Sequence, residues 1–180
     1  MRTFLDKLHD IKLKEVDQRR KIISENNLRS QAEALGNATD FRTALLRAPD
    51  EPISLIAEVK SKAPGRKNVE NLDPEAVVRD YESGGAKAIS VLTDNNWFGG
   101  SLETLEIVRE TTILPLLHKE FIITPYQLLE GRVRGASAAL ILAYYFQQAE
   151  LCEIINEVKT IGLEAVIECS LENELPRVLE

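Results

Sequence analysis

The sequence contains few of the residues that build covalent or metal-linked frameworks. It has only two cysteines, Cys152 and Cys169, and two histidines among 180 residues. The two cysteines lie seventeen positions apart and lack the cysteine or histidine partners of a zinc site. The sequence therefore predicts neither a disulfide framework nor a bound metal.

Long apolar runs and an excess of positive charge are also missing. No stretch approaches the roughly 18 consecutive apolar residues of a membrane span, and residues 1–15 alternate apolar with charged side chains, unlike a signal peptide. The 22 lysines and arginines against 29 acidic residues give a formal charge of −7, which argues against a broad nucleic-acid-binding surface. We therefore expect a cytoplasmic protein with no nucleic-acid or membrane partner.

The composition that is present, 44% hydrophobic and 28% charged, is typical of a globular protein of one domain or at most two. Residues 1–54 predict a helical extension. Its first helix carries apolar residues at helical spacing, namely Phe4, Leu5, Leu8, Ile11 and Val16. A second helix is predicted over about 28–35, ending at Gly36, and Asp40 is predicted as the N-cap of a short third helix.

From residue 55 to residue 180 the pattern changes to short apolar runs that alternate with amphipathic helices. The predicted strands are residues 53–59, 86–92, 113–117, 138–143 and 163–167. The predicted helices between them are residues 74–83, 102–110, 125–134 and 149–160. The strands begin about 25 to 33 residues apart, close to the ~31 residues per unit of an eight-unit barrel. This predicts an α/β fold of the (β/α)8 TIM-barrel type, with five βα units after the helical extension.

Charged residues stand at the ends of the first, third and fifth predicted strands. Glu58 and Lys60 are two residues apart, so a strand directs both side chains to one face. Lys119 follows the third apolar run and Glu168 follows the fifth. Alternate strands of such a barrel contribute to one interior layer, and the active site forms at the carboxyl ends of the strands. We therefore predict that these four side chains meet in one pocket.

Two lysines and two carboxylates in one pocket suit acid–base chemistry on an anionic, carbonyl-bearing substrate. For Lys119 and Glu168 taken singly, a second interpretation is open, because a charge at a strand end is often the first solvated residue of a loop. That interpretation fits the Glu58 and Lys60 pair less well, since charges inside an apolar strand need partners to offset their desolvation.

Two aromatic residues follow strands in the sequence: Phe98 lies in the loop after the second strand, and Phe121 lies two residues after Lys119. They form either an apolar wall for the ring of a substrate or ordinary packing under a loop. His118 should face the opposite side of the strand from Lys119, so we expect no catalytic role for it.

Several segments resemble the indole-3-glycerol-phosphate synthase family, a (β/α)8-barrel family of tryptophan biosynthesis. The matching segments are IAEVKSKAPG (56–65), DPEAVVRDYESGGAKAISVLTD (73–94), WFGGSLETL (97–105), LPLLHKEFIITPYQL (114–128) and GLEAVIECS (162–170). The helical extension also fits, since members of the family carry one ahead of the barrel. The resemblance covers essentially the whole chain.

The resemblance implies a lyase that converts 1-(2-carboxyphenylamino)-1-deoxyribulose 5-phosphate into indole-3-glycerol phosphate, with release of carbon dioxide and water and without metal or organic cofactor. By this resemblance Lys119 is the general acid at the ribulose carbonyl and Glu168 handles protons in the dehydration. Lys60 anchors anionic groups and shares the acid role, while Glu58 orients Lys60 and contacts the substrate. The aromatic positions of the anthranilate pocket are Phe98 and Phe121.

The sequence also departs from the family. Ala63-Pro64-Gly65 stands where the family usually has Ser-Pro-Ser. The Asn and Arg of the family's sixth strand, the Glu-Ser-Gly of its seventh and its phosphate-binding loops have no counterpart in residues 1–180. We therefore expect weak or no activity from this chain alone, and open barrel edges at the first and fifth strands.

Two alternatives remain open. The chain could be a non-catalytic binding or assembly module, in which self-association or a partner chain completes the barrel. Another phosphate-binding barrel, such as phosphoribosylanthranilate isomerase, fits the KEFIITPYQ segment less well.

Overall fold

The computed structural model describes residues 3–63, 65 and 72–179. Three helices precede the first strand: α1 (Phe4–Ile22), α2 (Glu25–Ala34) and α3 (Phe41–Leu45). Each begins at a residue whose side chain accepts a backbone N–H of the first turn, namely Thr3, Ser24 and Asp40. The prediction of Asp40 as an N-cap is confirmed.

Strands and helices then alternate to the end of the described chain. The strands are β1 (Ile56–Val59), β2 (Ala88–Leu92), β3 (Leu116–Lys119), β4 (Ala138–Leu142) and β5 (Glu164–Glu168). The helices are α4 (Pro74–Ser83), α5 (Asn95–Phe98), α6 (Leu102–Thr111), α7 (Pro125–Val133), α8 (Gln148–Thr160) and α9 (Leu175–Leu179). Short 3-10 turns occupy Ala143–Tyr145 and Glu172–Glu174.

The five strands form one parallel sheet in the order β1-β2-β3-β4-β5, with each strand beside the next in sequence. A parallel sheet in sequential order with a helix after each strand is the topology of a (β/α)8 barrel. The predicted fold class, five βα units of the TIM-barrel type after a helical extension, is thereby confirmed. The division of the chain at residue 54 stays a prediction.

Two predicted strands begin three residues too early in the sequence. β1 starts at Ile56 rather than at residue 53, and β3 starts at Leu116 rather than at residue 113. Ile53 and Ile113 are 84% and 86% exposed, because both precede the paired part of their strand. The apolar runs predicted that the strands exist, but they did not predict the first residue that pairs with the neighbouring strand.

The two faces of the sheet pack against different partners. Outward residues, such as Val59, Ile89 and Ile141, are buried in the main core with side chains of helices α4, α6, α7 and α8. Inward residues, among them Leu117 and Leu140, form a second cluster. In the described residues β1 and β5 each pair with a single strand, so the sheet has two open edges.

The helical extension contacts both ends of the strands. At the carboxyl ends, Lys12 of α1 forms ion pairs with Asp94 and Glu120. At the amino ends, Phe41 of α3 joins the inward cluster, and its backbone N–H donates to Glu164 Oε1 at 2.6 Å. The helical extension therefore contacts the sheet at both the carboxyl and the amino ends of its strands. Among the described residues, no helix combines the length and apolar character needed to cross a bilayer.

Candidate active site

A carboxylate held between two ammonium groups forms the centre of the candidate site. Glu58 lies within β1, Lys60 follows that strand and Lys119 is the last residue of β3. Glu58 Oε1 accepts a hydrogen bond from Lys60 Nζ, and Oε2 accepts one from Lys119 Nζ at 2.6 Å. The interior of the barrel thus joins strands one and three, as the alternating layers predict.

The electrostatics of this group favour an ionised Glu58. Partial burial acts to raise the pKa of the Glu58 carboxyl, but the hydrogen bonds and charges of Lys119 and Lys60 outweigh it and lower the pKa. The carboxylate therefore stays charged and keeps both ammonium groups in place. Both lysines are partly exposed, so their N–H groups can also reach a bound molecule.

A cavity of about 230 Å³ opens next to Lys119. Its lining combines apolar side chains with a few charged groups: Leu92, Asp94, Phe98, Lys119, Glu120, Phe121, Leu140, Leu142 and Glu168. The Phe98 and Phe121 ring centroids are 6.1 Å apart, and their planes are inclined by 35°. An apolar cavity with a few convergent polar groups is the usual form of a small-molecule site.

The structure brings the predicted site residues together in two overlapping groups. Glu58, Lys60 and Lys119 share ion pairs, while Lys119, Glu168 and the two phenylalanines surround the cavity. Neither Glu58 nor Lys60 lines this cavity, so the four predicted side chains do not all border one pocket. Lys60 lines a neighbouring cavity of about 280 Å³ beside Gly99 and Gly100. Glu168 is the last residue of β5 and is exposed. Their catalytic and binding roles stay predictions.

The loop that follows β1 is fastened to the loop that follows β2. The Ser61 hydroxyl donates to Gly99 O at 2.8 Å, and the Lys62 backbone N–H donates to Phe98 O at 3.0 Å. These bonds hold the loop that begins at Lys60 next to Phe98. We call the pair Phe98 and Phe121, which lines the cavity, its aromatic wall. Within the Ala63-Pro64-Gly65 replacement, Pro64 lies outside the described residues.

His118 points away from the cavity, as its position beside Lys119 predicts. Its side chain is 1% exposed, and Nε2 lies 2.9 Å from the Thr93 hydroxyl. Burial, followed by the nearby cations, lowers the pKa of this imidazole to about 3, so the ring is neutral. It does not line the cavity next to Lys119.

A buried charge cluster beneath α1, which was not predicted from the sequence, comprises Lys12, Asp94 and Glu120. The Lys12 ammonium lies 2.7 Å from Asp94 Oδ2 and 3.1 Å from Glu120 Oε1, and all three residues are buried. One signal was available in the sequence. Lys12 is four residues from both Leu8 and Val16, so a charge occupies the middle of the buried stripe of α1.

Burial raises the pKa of the Glu120 carboxyl, and the positive charge of Lys12 opposes that rise. Burial also acts to lower the pKa of Lys12, but the carboxylates of Glu120, Asp94 and Glu15 outweigh it and raise the pKa well above its usual value. Within the described part of the chain, no group of three or more potential ligands could hold a metal ion.

Comparison with known proteins adds independent information. The family model described as "Indole-3-glycerol phosphate synthase" matches residues 5–180. The chain is 41% identical to the indole-3-glycerol phosphate synthase of Rippkaea orientalis over 169 residues, which cover 93% of this chain and 57% of the relative. It is 41% identical to that of Roseiflexus sp. over 187 aligned positions, which cover 100% of this chain and 69% of the relative.

A third relative, the indole-3-glycerol phosphate synthase of Sulfurimonas denitrificans, is 40% identical over 141 residues, which cover 78% of this chain and 54% of the relative. The chain therefore spans somewhat more than half the length of most of these curated relatives.

Proposed function

Because this chain belongs to the indole-3-glycerol phosphate synthase family, we propose that it carries the lysine and carboxylate groups of a carboxy-lyase of tryptophan biosynthesis. The proposed substrate is 1-(2-carboxyphenylamino)-1-deoxyribulose 5-phosphate, a phosphorylated small molecule. The products are indole-3-glycerol phosphate, carbon dioxide and water. The observation that carries the proposal is the Lys119 ammonium, paired with Glu58 at the edge of a cavity with an aromatic wall.

The aromatic wall supports binding of the substrate's aminobenzoate ring. Phe98 and Phe121 present apolar surface on one side of the cavity, and Leu140 and Leu142 also line it. When the ring is buried among these side chains, its apolar surface is removed from water, and this favours binding. Lys60 lies beside the neighbouring cavity, where it would attract an anionic group of the same molecule.

Ring closure requires an acid at the ribulose carbonyl. The ring carbon that bears the carboxylate attacks this carbonyl carbon, and Lys119 donates a proton to the carbonyl oxygen as the new C–C bond forms. Loss of carbon dioxide from the same ring carbon returns the electron pair to the ring. The Glu58 carboxylate accepts a hydrogen bond from Lys119 Nζ and so holds this ammonium at the cavity.

The remaining step removes the new hydroxyl group as water. It needs a proton at the departing hydroxyl and a base that takes one from the five-membered ring. Glu168, at the end of β5 and on the lining of the cavity, is proposed to transfer these protons. Glu168 acts as both acid and base in this step, and Lys119 regains its proton from water. The protons therefore balance, and the proposal requires neither metal nor organic cofactor.

A second candidate function is that of an assembly module without catalytic activity. The open edges of β1 and β5 favour it, together with the exposed apolar residues Leu55 and Ile56 at the first edge. In that case a second copy or another chain would cover these edges. The molecular mass in solution distinguishes the candidates, because an active monomer would exclude assembly as a requirement.

The proposed activity is tested by following indole fluorescence as the product forms. The assay compares the 180-residue chain with the protein at the full length its gene encodes. We expect Lys119→Met to lower kcat at least about 100-fold, since general acid catalysis contributes roughly 10² to 10⁴ in rate. The matched control is Lys87→Met, because Lys87 is exposed at the amino end of β2, opposite the site.

Absence of turnover in the full-length protein would refute the proposed function. Equal losses in the two lysine variants would refute the role of Lys119. A cytoplasmic location, suggested by the family's place in amino-acid biosynthesis, stays a prediction.

A further inference from the structure

We propose that Lys12 is a positioning residue, whose buried ammonium holds together the two loop segments that form the aromatic wall of the site. The inference rests on the proposed function. It concerns the cluster of Lys12, Asp94 and Glu120, of which the two carboxylates line the cavity. Lys12 itself lines no part of that cavity.

The first contact of Lys12 leads to Phe98. Lys12 Nζ lies 2.7 Å from Asp94 Oδ2, and both side chains are 1% exposed. The other oxygen, Asp94 Oδ1, accepts the backbone N–H groups of Trp97 at 2.6 Å and Phe98 at 3.2 Å. The position of the Asp94 carboxylate therefore sets the position of the Phe98 backbone.

The second contact leads to Lys119 and Phe121. Lys12 Nζ lies 3.1 Å from Glu120 Oε1, and the same oxygen accepts the Phe121 backbone N–H at 2.7 Å. Glu120 lies between Lys119 and Phe121 in the sequence. The orientation of Glu120 therefore affects the positions of the proposed acid, Lys119, and of the Phe121 ring.

One ammonium thus joins the segment after β2 to the segment after β3, and the rings on these segments face each other at 6.1 Å. Without it, two buried carboxylates would lie close together with no cation between them, and each would move toward water. Either movement displaces a ring or the proposed acid. A displacement of about 1 Å at a catalytic group can lower a rate by roughly 10².

The test uses the protein at its full encoded length, with Lys12→Met as the main variant because methionine has similar length and no charge. The matched control is Arg29→Met. Arg29 belongs to the same helical extension and contacts Glu157 of α8 at 2.6 Å, away from the cavity. Lys12→Met removes the ion pairs to Asp94 and Glu120, and Arg29→Met removes the ion pair to Glu157. Both variants weaken the attachment of the extension to the barrel, but only the first loses the proposed positioning.

We expect Lys12→Met to lower kcat about 10-fold to 100-fold, while Arg29→Met keeps kcat within about twofold at a temperature where both are folded. A second measurement needs no substrate. Acrylamide should quench Trp97 emission more strongly in Lys12→Met, because Asp94 caps the short helix that carries this residue. A Trp97→Phe variant supplies the blank.

Unchanged kcat and unchanged Trp97 quenching in Lys12→Met would overturn the inference. If the wild-type protein shows no turnover, the proposed function fails, and the Trp97 quenching alone then decides the role of Lys12. If Lys12→Met does not fold, Lys12→Gln replaces it. This variant keeps N–H donors without charge, and it should show a smaller change in the same direction.

Discussion

His118 makes the stability of this protein depend on pH in a direction that the structure specifies. Its ring is buried on the outer face of β3, against Gly131 of α7. Burial is the main cause that lowers its pKa to about 3, and the positive charges of Arg19, Arg134 and Lys12 act in the same direction. The usual pKa of histidine in an unfolded chain is about 6.5. Acidification should therefore destabilise the fold through His118, and the variant His118→Gln removes this titrating group.

The sign follows from proton binding in the two states. Between pH 6.5 and about 3, the unfolded chain binds a proton at His118 that the folded chain does not bind. Above pH 6.5 the contribution of His118 to the free energy of unfolding has its full value. As the pH drops through 6.5 and below, this contribution falls by ~1.4 kcal/mol per pH unit. Acidification from pH 7.5 to pH 5.0 should therefore cost about 2 kcal/mol through this residue.

Urea unfolding, followed by far-ultraviolet circular dichroism at pH 7.5 and pH 5.0, measures this cost. The wild-type protein should lose about 2 kcal/mol more between the two pH values than His118→Gln loses. Glu120, whose raised pKa favours folding on acidification, is present in both proteins and contributes to both. The control is His9→Gln, which removes the only other histidine, a ring on α1. Equal losses in wild type and His118→Gln would refute the reasoning.

The other predictions concern one exposed and one buried position. Glu168→Gln should lower turnover about 100-fold or more. It should leave the free energy of unfolding within ~0.5 kcal/mol of the wild-type value, because the residue is exposed. The control is Glu172→Gln, an exposed neighbour on the same segment, and equal turnover in the two variants would contradict the proposed role. Gly131→Ala should destabilise the fold by about 1–3 kcal/mol, since the added Cβ would clash with the His118 ring. Gly36→Ala, which meets no atom within 4 Å, is the control in urea unfolding, and similar losses in both variants would show that the clash is relieved at no cost.

Strand periodicity was sufficient to predict which residues share the interior of the sheet. Glu58 and Lys60 are two positions apart, and the strand places both toward the same interior where Lys119 meets them. The sequence could not say that Glu58 bonds both lysines at once, because that depends on the separation of β1 and β3 across β2. Nor did it identify the start of β1 and β3, where pairing and not apolar character sets the boundary.

The amino-acid sequence by itself determined the alternation of strands and helices, the family resemblance and the charged ends of the first, third and fifth strands, because each of these is a local pattern. The tertiary structure alone decided the partners of Lys12. They lie 82 and 108 positions further along the chain, at Asp94 and Glu120. A helical stripe shows that a charge is to be buried, but only the packing of α1 across the ends of β2 and β3 supplies the carboxylates that offset its desolvation.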